Sequence, residues 1–264
     1  MKIDAQTRRW WTGLRLISCL NLALWGGLFF TGAATPTQLT LSGIYVAVCA
    51  FRSFLPRIGL ERVVLVDHWL SSIFLGRSLA TVAEMAFTAQ LAILLVALAP
   101  LSSDPALIGQ ISELLLPLIA VAQLTCWFGV LSGEPRWHAL EEALWVVMLL
   151  LLMGAGWLLW SADGGALQPL IVLSWLSCLG GIYVMAGLDI PMYLRRSAAL
   201  EPSARRSLAV GLRGALTERH QEGSWSFWRA EALWITPYFS LAVWMSLALA
   251  LWTPVRVAAV ALGG

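Results

Sequence analysis

The chain contains seven apolar runs, most of which reach or approach the length that a helix needs to cross a membrane. A helix of about 20 residues spans a hydrocarbon core that is about 30 Å thick. The runs lack the alternation of apolar and polar residues that is typical of a membrane β-barrel. They therefore predict seven transmembrane helices, at Gly13–Phe30, Leu39–Phe54, Ser78–Leu98, Ala106–Leu131, Ala139–Trp160, Leu167–Leu194 and Ala230–Trp252.

The composition favours the same class. The chain is 59% hydrophobic and 12% charged, whereas about 25% of the residues are charged in a typical soluble domain. We therefore expect one all-α, polytopic transmembrane domain over residues 1–264, in a bacterial inner membrane or an equivalent one. The lipid bilayer is the expected partner, other membrane proteins are candidate partners, and a nucleic-acid partner is not expected.

The lysines and arginines fall on one side of the membrane when the seven runs are threaded through it. Of the 17 such residues, only Arg256 lies on the other side. The connections on that side, Thr31–Gln38, Ser102–Pro105 and Ser161–Gly165, contain no lysine or arginine. Because translocation of positive charge is disfavoured, the basic side is the cytoplasmic one. The pattern predicts a cytoplasmic N-terminus and a C-terminus outside.

Two segments lie outside the seven runs. Residues 63–76 include a short apolar stretch, which at about 12 residues cannot cross the membrane and predicts an interfacial or re-entrant helix, or an extension of the third span. Residues 195–229 form a basic cytoplasmic loop. In it, Leu208, Leu212 and Leu216 recur at helical spacing among arginines, which predicts an amphipathic helix on an anionic membrane surface. A solvated connector is the alternative.

The third run carries a polar stripe made of Arg77, Thr81, Glu84 and Thr88. The spacings of four, three and four place these residues on one helix face. Arg77 and Glu84 are about 10 Å apart along the axis, so a direct salt bridge requires the arginine to bend toward the carboxylate. An unpaired carboxylate in the membrane costs several kcal/mol, so Glu84 must be neutral, paired or beside water.

We take Glu84 and Arg77 as the candidate catalytic residues, with a packing or assembly contact as the alternative. Candidate binding residues share the stripe or the cytoplasmic half of the membrane with them. They are Asp67, His68, Thr81, Thr88, Glu142, Asp189 and Glu231. Together with several arginines, these groups predict a cavity that opens to the cytoplasm. The alternative is a set of helix-end charges that extend toward water.

The 15 tryptophans are many for a chain of this length. Several, including Trp10 and Trp228, fall at the predicted cytoplasmic ends of the runs, where aromatic belts are common. Deeper ones, such as Trp145 and Trp244, either pack between helices or line a pocket for a flat or polyisoprenoid ligand.

Several cofactor classes are excluded by the residues that they need. The sole lysine is Lys2, so a retinal Schiff base has no attachment point in a span. The three histidines, His68, His138 and His220, are too few for a four-histidine di-haem site and badly placed for the three-histidine zinc site of seven-span hydrolases. The four cysteines lie in apolar runs without a C-x-x-C pair, which is typical of small buried side chains. No haem, zinc or other metal site is expected, and any cofactor is unknown.

Three functional hypotheses remain. The first is a protein that binds or transforms an amphiphilic lipid or isoprenoid-like molecule, with Glu84 exchanging a proton and Arg77 holding an anionic group. The second is an accessory subunit of a membrane complex, in which Arg77 and Glu84 pair across an interface. The third is a small proton-coupled solute carrier that uses Glu84 and Asp189. Whether the protein is an enzyme is left open.

Overall fold

The chain folds almost entirely into helices in the computed structural model, which describes residues 3–160 and 167–251. The α-helices are α1 (Ala5–Thr31), α2 (Pro36–Phe54), α3 (Ile73–Leu98), α4 (Pro105–Ser132), α5 (Arg136–Trp160), α6 (Gln168–Ile182), α7 (Ile190–Ala198), α8 (Leu208–Thr217) and α9 (Trp225–Leu251). Three two-residue strands are β1 (Arg57–Ile58), β2 (Val63–Val64) and β3 (His220–Gln221). The described residues do not include Lys2, Arg256, the Ser161–Gly165 connection or Trp252, where the seventh run was predicted to end.

Among the described residues, six helical segments are long and apolar enough to cross a membrane, which confirms the all-α class and is compatible with a membrane protein. They are Ala5–Thr31, Ile73–Leu101, Pro105–Ser132, Arg136–Trp160, Gln168–Ala198 and Trp225–Leu251. The predicted second span is a helix of 19 residues, α2, but it is not among these six. Gln38 near its start and Arg52 near its end leave it no stretch as apolar as those of the six segments. The count by length and apolarity is therefore six where the sequence predicted seven.

The helix ends follow from local chemistry. Asp104 precedes α4 and accepts a hydrogen bond from the backbone N–H of Leu107 at 3.0 Å, with Pro105 in the first turn. Gly133 ends α4 in the left-handed region at φ 70°, a conformation that costs glycine little. This glycine lets the chain turn at once into α5.

The sixth apolar run is one interrupted helix. Between α6 and α7, residues Tyr183–Asp189 form a π-helical stretch. Pro191 follows and has no N–H to donate to the carbonyl of Gly187, four residues earlier. Asp189, one of the predicted binding residues, lies at the end of these widened turns.

The described residues divide into two compact units. The first contains residues 3–87 and 207–251, and the second contains residues 88–160 and 167–206. The division falls within α3, which contributes Phe87 to the first unit and Thr88 to the second. The core of the first unit is built from α1, α2, α3 and α9 around Tyr45, Trp228 and Phe239. The core of the second is built mainly from α4, α5 and α6 around Ile108, Met148 and Ile171.

The segment 63–76 does not form a single interfacial or re-entrant helix, and only its last residues, 73–76, extend the third span as the remaining alternative predicted. β2 pairs antiparallel with β1 and parallel with β3, so Val63 lies opposite His220 and Val64 opposite Gln221. A short 3₁₀ turn, Trp69–Ser71, leads into α3, which begins at Ile73 and not at Ser78. The apolar residues fit this outcome because β-branched valines suit a strand, and Val64 and Leu65 are fully buried.

The basic loop contains the predicted helix, α8. Its leucines face outward, with Leu208, Leu212 and Leu216 all exposed, whereas the small residues Gly211 and Gly214 are buried. The sequence predicted the helix from the leucines, and the glycine face is the one that packs. Whether the leucine face meets a membrane stays a prediction.

Arg62 links the small sheet of the first unit to α8 through polar contacts. The residue is only 4% exposed, and its guanidinium donates a hydrogen bond to the carbonyl of Gly211 at 3.2 Å and pairs with Glu218. It has φ of 55°, a left-handed conformation that is uncommon outside glycine. A Cβ atom at Gly214 would overlap this guanidinium, so any larger residue there requires the Arg62 side chain to move.

Trp228 corrects the expectation of an aromatic belt. It is fully buried, stacks on Trp10 with ring centroids 5.7 Å apart, and donates its indole N–H to the carbonyl of Glu222 at 2.8 Å. Trp10 in turn donates to the Thr236 hydroxyl at 3.0 Å. This stack joins the start of α9 to α1 as part of the first core.

Gly214→Ala should unfold the protein more easily, because the added methyl group displaces the Arg62 side chain from Glu218. Overpacking of this kind costs about 1–3 kcal/mol. The control is Gly13→Ala on α1, where a Cβ meets nothing within 4 Å and removal of a helical glycine stabilises by about 0.5–1 kcal/mol. Thermal unfolding in detergent measures both. Equal midpoints for the two variants would contradict the assigned role of Arg62.

Candidate functional site

The polar stripe of α3 forms a direct ion pair in the first unit. Arg77 Nη2 lies 2.9 Å from Glu84 Oε2, so the arginine spans the two helical turns by bending toward the carboxylate. The two side chains are 14% and 9% exposed. The structure thus brings the two candidate catalytic residues together and selects pairing from the options open to a buried carboxylate.

The second carboxylate oxygen of Glu84 is also bonded within the chain. Tyr238 of α9 donates its hydroxyl to Glu84 Oε1 at 3.0 Å. The Tyr238 ring lies beside Tyr45 of α2, with centroids 6.4 Å apart, and Tyr45 is 2% exposed. Three helices, α2, α3 and α9, therefore meet at this carboxylate.

Arg52 adds a second positive charge at the same place. Its guanidinium carbon lies 5.7 Å from the ring centroid of Tyr238 and 5.3 Å from that of Phe239. We call Tyr45, Arg52, Arg77, Glu84 and Tyr238 the Glu84 cluster. With both arginines and the glutamate ionised, the cluster carries one more positive than negative charge. A net positive site within spanning helices favours an anionic ligand.

The neighbouring Arg57 has a structural role. Its guanidinium donates to the carbonyls of Leu70 at 3.0 Å and Ser72 at 2.8 Å, which fixes the approach to α3. Burial, together with the positive charge of Arg52, lowers the pKa of Arg57 to about 9. Its side chain packs so closely on Gly76 that a Cβ there would meet it at 2.4–2.9 Å.

The other predicted site residues of the first unit make separate contacts. Asp67 is paired with Arg219 at 3.0 Å, and His68 Nδ1 accepts from the backbone N–H of Leu70 at 3.2 Å. Both are exposed. Glu231 on α9 accepts from the Trp234 indole at 2.8 Å, and Thr81 lies half-buried on α3. None of these contacts brings Asp67, His68 or Glu231 to the Glu84 cluster.

The remaining candidates belong to the second unit. Thr88 is fully buried, and among the residues that the structure describes its hydroxyl has no hydrogen-bond partner. Glu142 and Asp189 are half-buried, on α5 and in the π-helical stretch. The common cytoplasmic cavity that we expected around these groups stays a prediction. A shallow hollow lined by Pro36 and Leu41 lies at the start of α2, away from Glu84.

Sequence reasoning missed both tyrosines of the cluster. Only four tyrosines occur in the chain, and all four lie inside the predicted apolar runs, which are otherwise rich in tryptophan and leucine. A phenol in a span needs a hydrogen-bond partner, so these positions carried a usable signal.

A second group of reactive side chains was also missed. Cys126 on α4 and His138 and Glu141 on α5 are all buried, and their sulfur, nitrogen and oxygen atoms lie within 4.8 Å of one another. The cysteine and the two residues on α5 are separated in sequence by the α4–α5 turn. Their meeting depends on the register of that helix pair, which no sequence spacing revealed.

Comparison with protein-family models, with curated proteins and with solved structures finds no match for this chain. Its function is therefore argued from the geometry of these two clusters.

Removing one member of the Arg77–Glu84 pair should cost far more stability than removing both charges. Arg77→Met leaves a buried carboxylate unpaired, for an expected loss of about 3–5 kcal/mol. Arg77→Met with Glu84→Gln removes both charges and keeps an oxygen to accept from Tyr238, so it should recover most of that loss. Thermal unfolding of the two single variants and of the double variant gives the coupling energy between Arg77 and Glu84.

The control is Glu201→Gln, which neutralises an exposed carboxyl outside the spanning helices and should change stability by no more than about 0.5 kcal/mol. If the loss of stability in the double variant equals the sum of the losses in the two single variants, the two charges are not coupled.

Proposed function

We propose that the chain is a seven-span integral membrane protein of a bacterial inner membrane or an equivalent one, with a cytoplasmic N-terminus. The distribution of lysine and arginine supports the orientation. The 19 residues of α2 extend for about 28 Å at the helical rise, which is close to the thickness of the hydrocarbon core and supports a seventh crossing.

We also propose that the Glu84 cluster binds the anionic head group of an amphiphilic lipid or isoprenoid-like molecule. The observation that carries this proposal is the buried Arg77–Glu84 ion pair, bonded by Tyr238 and accompanied by Arg52. A buried ion pair adds little net stability compared with apolar packing, so stability alone gives weak reason to keep one. Ionisable groups within spans are accordingly functional candidates by default.

Glu84 acts as the resident counter-ion of Arg77 in this proposal. An incoming phosphate or carboxylate competes for the guanidinium, and Glu84 becomes neutral by taking up a proton as it releases Arg77. Tyr238 remains as a hydrogen-bond partner for the displaced glutamate. Because one anion replaces another, the charge of the cluster is preserved during the exchange.

The location of the cluster supports an amphiphilic ligand. Glu84 and Tyr238 lie within the spanning helices α3 and α9, so a head group bound there leaves an attached chain at the depth of the hydrocarbon. A purely hydrophilic solute would lose its hydration at that depth without an apolar gain. If the ligand is transformed, Glu84 is the group that would exchange a proton with it.

The two alternatives differ in what they require. The accessory-subunit hypothesis used Arg77 and Glu84 as partners across an interface, and since these residues pair within one chain, they give it no support. The proton-coupled carrier would use the same exchange at Glu84, and in addition it requires net movement of a solute into vesicles.

The topology can be tested by labelling single cysteines with a membrane-impermeant thiol reagent in intact cells. Thr37→Cys should react from outside, whereas Glu61→Cys and Ser203→Cys should react only after the membrane is opened. All three positions are exposed. Labelling of Glu61→Cys in intact cells would show that α2 does not cross. The unsubstituted chain, whose Cys19 is exposed on α1, supplies the background.

The ligand can be tested with dodecyl phosphate added to the protein in neutral maltoside micelles. Arg77→Gln should weaken binding about 10- to 100-fold, because a charge-assisted hydrogen bond contributes about 1.5–3 kcal/mol. Glu84→Gln should strengthen binding, since the charge that competes for Arg77 is gone. Native mass spectrometry or isothermal calorimetry measures the affinity.

Arg229→Gln is the matched control for Arg77→Gln, because Arg229 is an exposed arginine on α9. It should leave binding unchanged, and zwitterionic dodecylphosphocholine should compete poorly. Equal affinity of the unsubstituted protein and Arg77→Gln for dodecyl phosphate would overturn the proposal. Uptake of a soluble anion into proteoliposomes under a pH gradient would instead favour the carrier.

A further inference from the structure

The second unit contains a cluster of three metal-ligating side chains at one end of the α4–α5 helix pair. Cys126 lies near the end of α4, and His138 and Glu141 lie in the first turns of α5. Their spacing of three residues puts His138 and Glu141 on the same helix face. The left-handed turn at Gly133 folds α5 back along α4 so that this face meets Cys126.

The contacts converge on one nitrogen. His138 Nδ1 lies 3.0 Å from Glu141 Oε2 and 3.8 Å from Cys126 Sγ. The three residues are 8%, 7% and 2% exposed, respectively. A nitrogen in an imidazole ring has one in-plane position for a proton or a bond, so a single proton on Nδ1 can satisfy the carboxylate or the sulfur, and not both.

The imidazole is held in this orientation by its surroundings. The ring edge that carries Nε2 packs against Gly129 of α4, where a Cβ would meet it at 2.8 Å. Tyr193 of α7 stacks on the ring face, with centroids 5.3 Å apart. Among the described residues, 3–160 and 167–251, the Nε2 atom has no hydrogen-bond partner. The ring is thus positioned by shape, and its Nδ1 edge faces the other two side chains.

We propose that Cys126, His138 and Glu141 bind a zinc ion. Thiolate, imidazole and carboxylate are the ligands that Zn²⁺ takes in proteins, and one cation could satisfy all three groups at once. The thiolate and the carboxylate supply two negative charges, so the complex of a divalent ion with a neutral histidine is electrically neutral. Such a complex costs less to bury than either ion alone.

The geometry is close to what the ion requires. Bonds of about 2.0–2.3 Å in a tetrahedron place ligand atoms roughly 3.4–3.8 Å apart, compared with the 4.8 Å within which these atoms lie. Side-chain rotations that move atoms by about 1 Å close this gap. Three protein ligands leave the fourth position of zinc for water or another small ligand. On binding, Cys126 loses its thiol proton, and any proton on Nδ1 of His138 is released to solvent.

This inference differs from the sequence expectation, in which no zinc site was predicted. The cysteine lacks a neighbouring cysteine in the sequence, and the histidine was counted only against three-histidine and four-histidine sites. The site is also separate from the Glu84 cluster, so its test is independent of the proposed lipid function.

The test uses the full chain in detergent, stripped with a chelator and titrated with Co²⁺ as a spectroscopic substitute for zinc. We expect one ion per chain, intense visible bands typical of a tetrahedral site, and a thiolate-to-cobalt charge-transfer band in the near ultraviolet. Added Zn²⁺ should displace the Co²⁺ and remove its visible bands. Cys126→Ser should remove the charge-transfer band, and each of His138→Gln and Glu141→Gln should lower affinity at least about 100-fold.

Matched variants separate ligation from folding. Cys178→Ala removes another buried cysteine of the same unit and should leave the spectrum unchanged. Tyr193→Phe keeps the stacked ring and should bind normally, whereas Tyr193→Ala should weaken binding about 10-fold by releasing the imidazole. X-ray absorption of the zinc-loaded, unsubstituted protein should show one sulfur and two or three nitrogen or oxygen neighbours.

The proposal fails if the unsubstituted protein binds well below one ion per chain, or if its zinc spectrum contains no sulfur neighbour. Both measurements use the unsubstituted protein, so their outcome does not depend on whether a variant folds. An unchanged charge-transfer band in Cys126→Ser would overturn it as well.

Discussion

The absence of water in a hydrocarbon core is the constraint on which the architecture of this protein depends. A peptide group there must bond within its own segment, and the long apolar runs therefore form helices. The same constraint applies to side chains. Glu84 has Arg77 and Tyr238 as partners, and Asn21 donates to the carbonyl of Phe239 while it accepts from the Trp244 indole. Glu84 and Asn21 are thus both bonded across helices.

Much of this could be predicted because it depends on local composition. Each of the seven apolar runs corresponds to a helix or, in the sixth, to α6, the π-helical stretch and α7 together. The stripe of Arg77 and Glu84 was visible from the helical period, and the leucine repeat revealed α8. The helices start before the predicted runs in most cases, since polar first turns such as that of α1 add no apolar signal. α2 is not among the six candidate spans because its ends are polar.

What the sequence did not reveal depends on long-range register. The pairing of Val63–Val64 with His220–Gln221 joins residues that are far apart in the chain, and two-residue strands leave no periodic pattern. The hydrogen bond from Tyr238 to Glu84 similarly requires the placement of α9 beside α3. The Cys126, His138 and Glu141 cluster depends on how far α4 and α5 slide along each other. In all three cases the residue types were visible, and their proximity was not.

The division of the chain within α3 has a consequence for biosynthesis. The described part of the second unit, from Thr88 to Arg206, is interrupted by no segment of the first, whereas the first unit needs residues from both ends of the chain. A ribosome delivers α1, α2 and α3 long before α9. Arg77 and Glu84 are therefore synthesised before Tyr238 of α9, and Arg62 is synthesised before Glu218. The hydrogen bonds of the Glu84 cluster are therefore complete only after α9 has been synthesised and has packed beside α3.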